Sequence, residues 1–176
     1  MRIYAIQKKA IMIQNFRNFM KGRDARAILV AGVFGEIAFE FYALVISPVI
    51  FSLTLQPAKL VMAIASKLTG LELPIAVAFP IHFLIGSIGF GVLVYLARKF
   101  VTQNVWLSGG LVGVSLWFVA QGVLAPFVGR SFMMDFGPYT QSSFVGHVGM
   151  TLIIAYLLKM QLQNGQSPAA GLKIRS

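Results

Sequence analysis

The chain has 176 residues, 57% of them apolar and only 11% charged, with 15 phenylalanines and a net charge of +10. Mean hydropathy is +0.79. A soluble domain of this size could not cover such a chain with polar surface, so ordinary globular classes are excluded. Cysteine is absent, which removes disulfides, thiolate metal sites and iron–sulfur clusters.

Residues 1–26 form a basic segment. In "RIYAIQKKAIMIQNFRNFMKG", Ile3, Ile6, Ala10, Ile13 and Met20 recur at helical spacing, with most of the Lys and Arg elsewhere around the wheel. This predicts an amphipathic helix lying in the membrane interface. The segment is too long for the charged part of a signal peptide, and no small-x-small cleavage site follows, so the first apolar block is expected to be retained.

A membrane domain over 27–162 follows, with four apolar blocks at 27–54, 74–97, 105–128 and 142–162. Each approaches or exceeds the roughly 20 residues needed to cross a hydrocarbon core. The fold class is therefore all-α: a polytopic bundle of four transmembrane helices. Between the first two blocks, Leu60, Val61, Ile64, Leu68 and Leu71 share a stripe bracketed by Pro57 and Pro74, which predicts a second in-plane helix over 57–71. Residues 163–176 have the small, polar composition of a flexible tail.

Spans one and three share a pattern. Gly35 and Pro48 stand thirteen residues apart, as do Gly113 and Pro126. Spans two and four each carry a histidine early and end in Tyr-Leu and a basic residue. The chain can thus be two hairpins in a parallel 2+2 repeat.

Charge placement sets the topology. Twelve basic residues fall on one side: Arg2, Lys8, Lys9, Arg17, Lys21, Arg23, Arg26, Arg98, Lys99, Lys159, Lys173 and Arg175. Only Lys59, Lys67 and Arg130 fall on the other. This positive-inside pattern places both termini in the cytoplasm and assigns the basic excess to anionic lipid headgroups rather than to nucleic acid.

Polar residues inside the spans are few. At about 1.5 Å per residue, Glu40, His82, Gln121 and His147 fall within roughly 8–12 Å of the outer surface, one per span. Glu36 sits one turn deeper on the same face as Glu40. Ionisable groups in lipid cost several kcal/mol and face a bundle interior, so these five are expected to form one interior layer.

Two histidines from different helices are also the usual ligands of a transmembrane b-type haem. Gly146 and Gly149 flank His147, Gly86 lies one turn below His82, and Arg130 at the rim could meet propionates. The same glycines suit close helix packing, as Gly109 and Gly113 do. Met133, Met134 and Asp135 in the outer loop could be imagined around copper, but adjacent methionines more often anchor a loop. No catalytic motif and no metal site are identified; there is no phosphate loop, no HExxH and no nucleophile elbow.

The segments "PIHFLIGSIGFGVLVYLA", "GGLVGVSLWFVAQGVLAPFVG" and "SSFVGHVGMTLIIAYLL" together resemble small bacterial four-helix inner-membrane proteins of unknown function, over about residues 27–160. The resemblance implies a four-span fold in a bacterial inner membrane and carries over no activity. Function stays open between three classes. The first is a non-enzymatic accessory or scaffold subunit without a cofactor, partnered by lipids and by other membrane subunits or itself. The second is a haem b or quinone-linked electron-transfer subunit using His82 and His147. The third is a small transporter or proton-conducting bundle using Glu36 and Glu40.

Overall fold

The computed structural model describes residues 22–164. The predicted N-terminal amphipathic helix and the tail from 165 onward lie outside the described residues. Four helices are long and apolar enough to cross a membrane. They are α1 (Arg23–Phe51), α3 (Ile75–Phe100), α4 (Val105–Phe127) and α5 (Pro138–Asn164). The shorter α2 (Ala58–Thr69) joins the first pair.

Local chemistry sets the boundaries. Arg23–Arg26, expected in the basic segment, already belong to α1. That helix ends at Ser52, which takes left-handed backbone (φ 54°), while Ser47 Oγ donates to the Leu53 carbonyl at 2.8 Å and fixes the exit. α2 starts after Pro57 and stops at Gly70, whose φ of 74° suits a residue without Cβ. Pro74 precedes α3 in extended backbone. Asn104 caps α4 by accepting the Leu107 N–H at 3.1 Å. α5 begins at Pro138, earlier than the hydropathy edge at 142, and its first turn includes Thr140, which is polar yet buried. Before it, Met133–Phe136 form a left-handed turn with φ near 50°. The Thr140 hydroxyl holds this turn by donating to the Met133 carbonyl.

The four spans close into a ring. α5 packs along both α1 and α4, α1 packs along α3, and the α3–α4 seam is the loosest. Ile154, Leu158, Val94 and Ala31 are fully buried at the centre. Phe34, Leu44, Val49, Trp106 and Val123 stand exposed on the outside, as a lipid-facing surface requires.

Three spans contain a π-helical turn: Tyr42–Ile46 in α1, Ile85–Phe90 in α3 and Val119–Leu124 in α4. In α1 and α4 the turn is followed at once by Ser47-Pro48 and Ala125-Pro126, the ends that share the Gly-to-Pro spacing. The Tyr-Leu ends of α3 and α5 are not equivalent. Tyr95 is buried and donates to Asp24 Oδ2 at 2.7 Å, whereas Tyr156 is exposed.

Candidate functional site

The polar residues of the spans gather into two neighbouring groups. In the first, Glu36 and Glu40 lie one turn apart on α1 and face His82 of α3. His82 Nδ1 is 3.1 Å from Glu36 Oε1 and 3.5 Å from Glu40 Oε1. The carboxylate counted one turn deeper is therefore the closer of the two. Glu36 is fully buried, and its carboxyl rests on Gly86, where any Cβ would overlap it. These are ion-pair separations. His82 Nδ1, both Glu36 oxygens and Glu40 Oε1 are buried without an aligned hydrogen bond among the described residues.

The second group is linked by hydrogen bonds through Ser143. His147 Nδ1 lies 2.8 Å from the carbonyl of Ser143, one turn earlier on α5. A carbonyl only accepts, so Nδ1 carries the proton and a neutral ring presents the lone pair on Nε2. Gln121 of α4 donates Nε2–H to Ser143 Oγ at 3.1 Å, and Thr151 closes the chain by donating to the His147 carbonyl at 2.8 Å. Phe39 joins the groups: its ring centroid is 6.0 Å from His82 and 5.7 Å from His147.

A chamber of about 350 Å³ adjoins both groups, with His82, Gln121, Ser143 and His147 in its wall. Its remaining walls are mostly apolar, and α2 closes one side with Leu60, Val61 and Ile64. Arg130 and Tyr139 stand in its wall as well. A second groove of about 400 Å³ runs along the α3–α4 seam and shares Leu93, Leu116 and Val119 with the chamber. The chamber and the groove thus stand on either side of the same three side chains.

The glycines have assigned neighbours. Gly146 lies against the Phe39 ring, where a Cβ would stand 2.7 Å from it, while Gly149 faces open space. Gly86 meets the Glu36 carboxyl. In the outer turn Met133 is buried and Asp135 accepts from Ser131 Oγ at 2.8 Å. These contacts anchor the turn.

Several polar contributors escape a reading by residue type. Tyr42 OH is 3.0 Å from both the Ser142 carbonyl and its Oγ, and Ser47 Oγ is 2.7 Å from Ser142 Oγ. Short hydroxyls look like small packing residues in an apolar run. Their only sequence signal is spacing, since Ser143 stands one turn before His147. Comparison with family profiles, curated proteins and solved structures gives no match, so the chemistry of the site rests on its own residues.

Proposed function

We propose that the protein is a non-enzymatic, multi-pass accessory subunit of a bacterial inner membrane, with both termini cytoplasmic, that houses a lipid-soluble ligand of the quinone class. One observation carries this reading: an intramembrane chamber with convergent polar groups that borders a groove along the α3–α4 seam. Its volume is within the range of small-ligand pockets, which combine apolar walls with a few placed polar groups. Gln121 keeps a second amide N–H beyond the one given to Ser143, and can meet a ring carbonyl. His147 Nε2 accepts from a ring hydroxyl. The bordering groove offers an apolar tail a place along the seam. The positive-inside charge pattern supports the orientation.

The glycine-rich faces offer less support for docking an external partner. Gly109 and Gly113 are taken up against α5, Gly35 against Ile154 and Gly146 against Phe39, all within the chain.

Trp117 provides the test. Its indole donates to the Thr140 carbonyl at 3.0 Å and packs edge-on to Phe144 at 5.1 Å, one turn before Gln121. A decyl benzoquinone titrated into the detergent-purified protein should quench Trp117 fluorescence saturably. His147→Leu and Gln121→Leu should each weaken binding about tenfold, the worth of one buried hydrogen bond. Linear quenching that is identical in the variants would overturn the proposal. So would a Soret band in the protein as isolated, which would give the chamber to haem.

A further inference from the structure

We infer that Glu36, Glu40 and His82 form a binding site for a first-row divalent transition-metal ion within the membrane. The inference does not depend on a quinone in the chamber. Three ligand atoms, one from each side chain, lie within 4.8 Å of one another. Metal–oxygen and metal–nitrogen bonds are about 2.0–2.2 Å, so ligands at tetrahedral or octahedral angles stand about 3.0–3.5 Å apart. The separations of 3.1 and 3.5 Å from His82 Nδ1 to the two carboxylates match that spacing.

An acidic pair could simply be solvated, but these residues are not at the surface. Glu36 is fully buried, and both its oxygens lack an aligned hydrogen bond among the described residues, as do Glu40 Oε1 and His82 Nδ1. Two carboxylates that share a single imidazole are incompletely compensated, which is costly in hydrocarbon. A single dication would engage all of these donors at once and neutralise two carboxylates. Gly86 fits the same account, because its missing Cβ is what lets the Glu36 carboxyl sit against α3.

Donor chemistry narrows the ion. Two carboxylates with one imidazole suit Zn2+, Fe2+ or Mn2+; calcium and magnesium prefer all-oxygen shells, and copper(I) prefers thiolate or thioether sulfur. The three side chains supply fewer ligands than these ions take. His82 alone of the three lines the chamber, so the site borders a space from which water or a ligand could complete the shell.

The test uses the full chain in detergent, stripped with chelator and titrated with Co2+ as a visible probe. One equivalent should produce d–d bands that Zn2+ abolishes and excess Mg2+ leaves in place. Glu36→Gln and His82→Gln should each weaken binding by at least about 100-fold, more than the loss of an outer-shell partner costs. Asp135→Asn, in the outer turn, should bind as wild type. Should the first two variants fail to fold, nitrogen NMR of the wild-type histidines decides. Zn2+ should shift His82 Nδ1 and leave His147 in place. Absence of stoichiometric binding would overturn the inference, with the carboxylates and imidazole then sharing protons only. Undiminished binding by a folded Glu36→Gln, or a Zn2+ shift at His147 instead of His82, would do the same. Cobalt bands and Trp117 quenching report separately, so either proposal can fail alone.

Discussion

Adjacent glycines in α4 should respond with opposite signs to the same substitution. A Cβ at Gly109 would stand 2.9 Å from the Leu152 Cα and 2.9 Å from the Thr151 carbonyl oxygen; one at Gly113 would stand 2.7 Å from the Val148 Cα. These neighbours are backbone, which no rotamer change can move, so α4 and α5 must separate by several tenths of an ångström. Overpacking of this kind costs about 1–3 kcal/mol. Gly110 has nothing within 4 Å of its Cβ position. There Ala should gain the roughly 0.5–1 kcal/mol by which it outranks Gly in a helix. Gly109→Ala and Gly113→Ala should therefore be destabilised and Gly110→Ala neutral or stabilised, a spread of about 1.5–4 kcal/mol on combining those two terms. Reversible unfolding in mixed micelles, with dodecyl sulfate as denaturant, measures it. Equal effects at Gly109 and Gly110 would refute the close α4–α5 approach, and with it the placement of Gln121 against Ser143.

Further outcomes follow from the same coordinates and charges. A periplasm-active reporter fused after Ser176 should be silent and one inserted near Asp135 active; the reverse would overturn the positive-inside orientation. Tyr95→Phe removes the hydroxyl that donates to Asp24 and should cost about 1.5–3 kcal/mol in the same unfolding assay, as for a hydrogen bond to a charged acceptor.

The four spans were legible because hydropathy and length suffice to find them. The shared face of Glu36 and Glu40 was legible because i and i+4 coincide on any helix. What stayed hidden was which histidine faces which partner. Depth counting placed four groups in one layer, but a layer has no azimuth. Only the ring order of helices puts His82 with the carboxylates and His147 with Gln121 and Ser143. The role of α2 as a chamber wall was hidden for the same reason. Its stripe predicted an anchor, and Leu60, Val61 and Ile64 do face apolar surroundings, but those belong to the protein's own chamber, while Leu68 and Leu71 remain exposed.

The π turns sit along buried stripes whose spacing the sequence does carry. Ala27, Ala31, Gly35, Phe39, Ala43 and Ser47 are all buried and each stands four residues from the next. In an unbroken α-helix at about 100° per residue, the twenty residues from Ala27 to Ser47 would turn the last of them about 200° away from the first. The π turn at Tyr42–Ile46 adds one residue to a turn and takes up about 100° of that drift; a wide buried face that also includes Ile28, Gly32 and Glu36 accommodates the rest. α4 repeats the pattern with Gly109, Gly113, Gln121 and Ala125, and its wide turn falls at Val119–Leu124. α5 shows the contrast. Its buried residues Ser142, Gly146, Met150, Ile154 and Leu158 also stand four apart, yet it runs without a π turn. Such turns favour functional sites because they re-aim side chains without breaking the helix. Here Gln121 lies inside one, Glu40 lies just before another, and Gly86, the seat of the Glu36 carboxyl, belongs to the third. A period of four therefore does not by itself mark a rewound helix, but in this chain the π turns border the two groups that carry its polar chemistry.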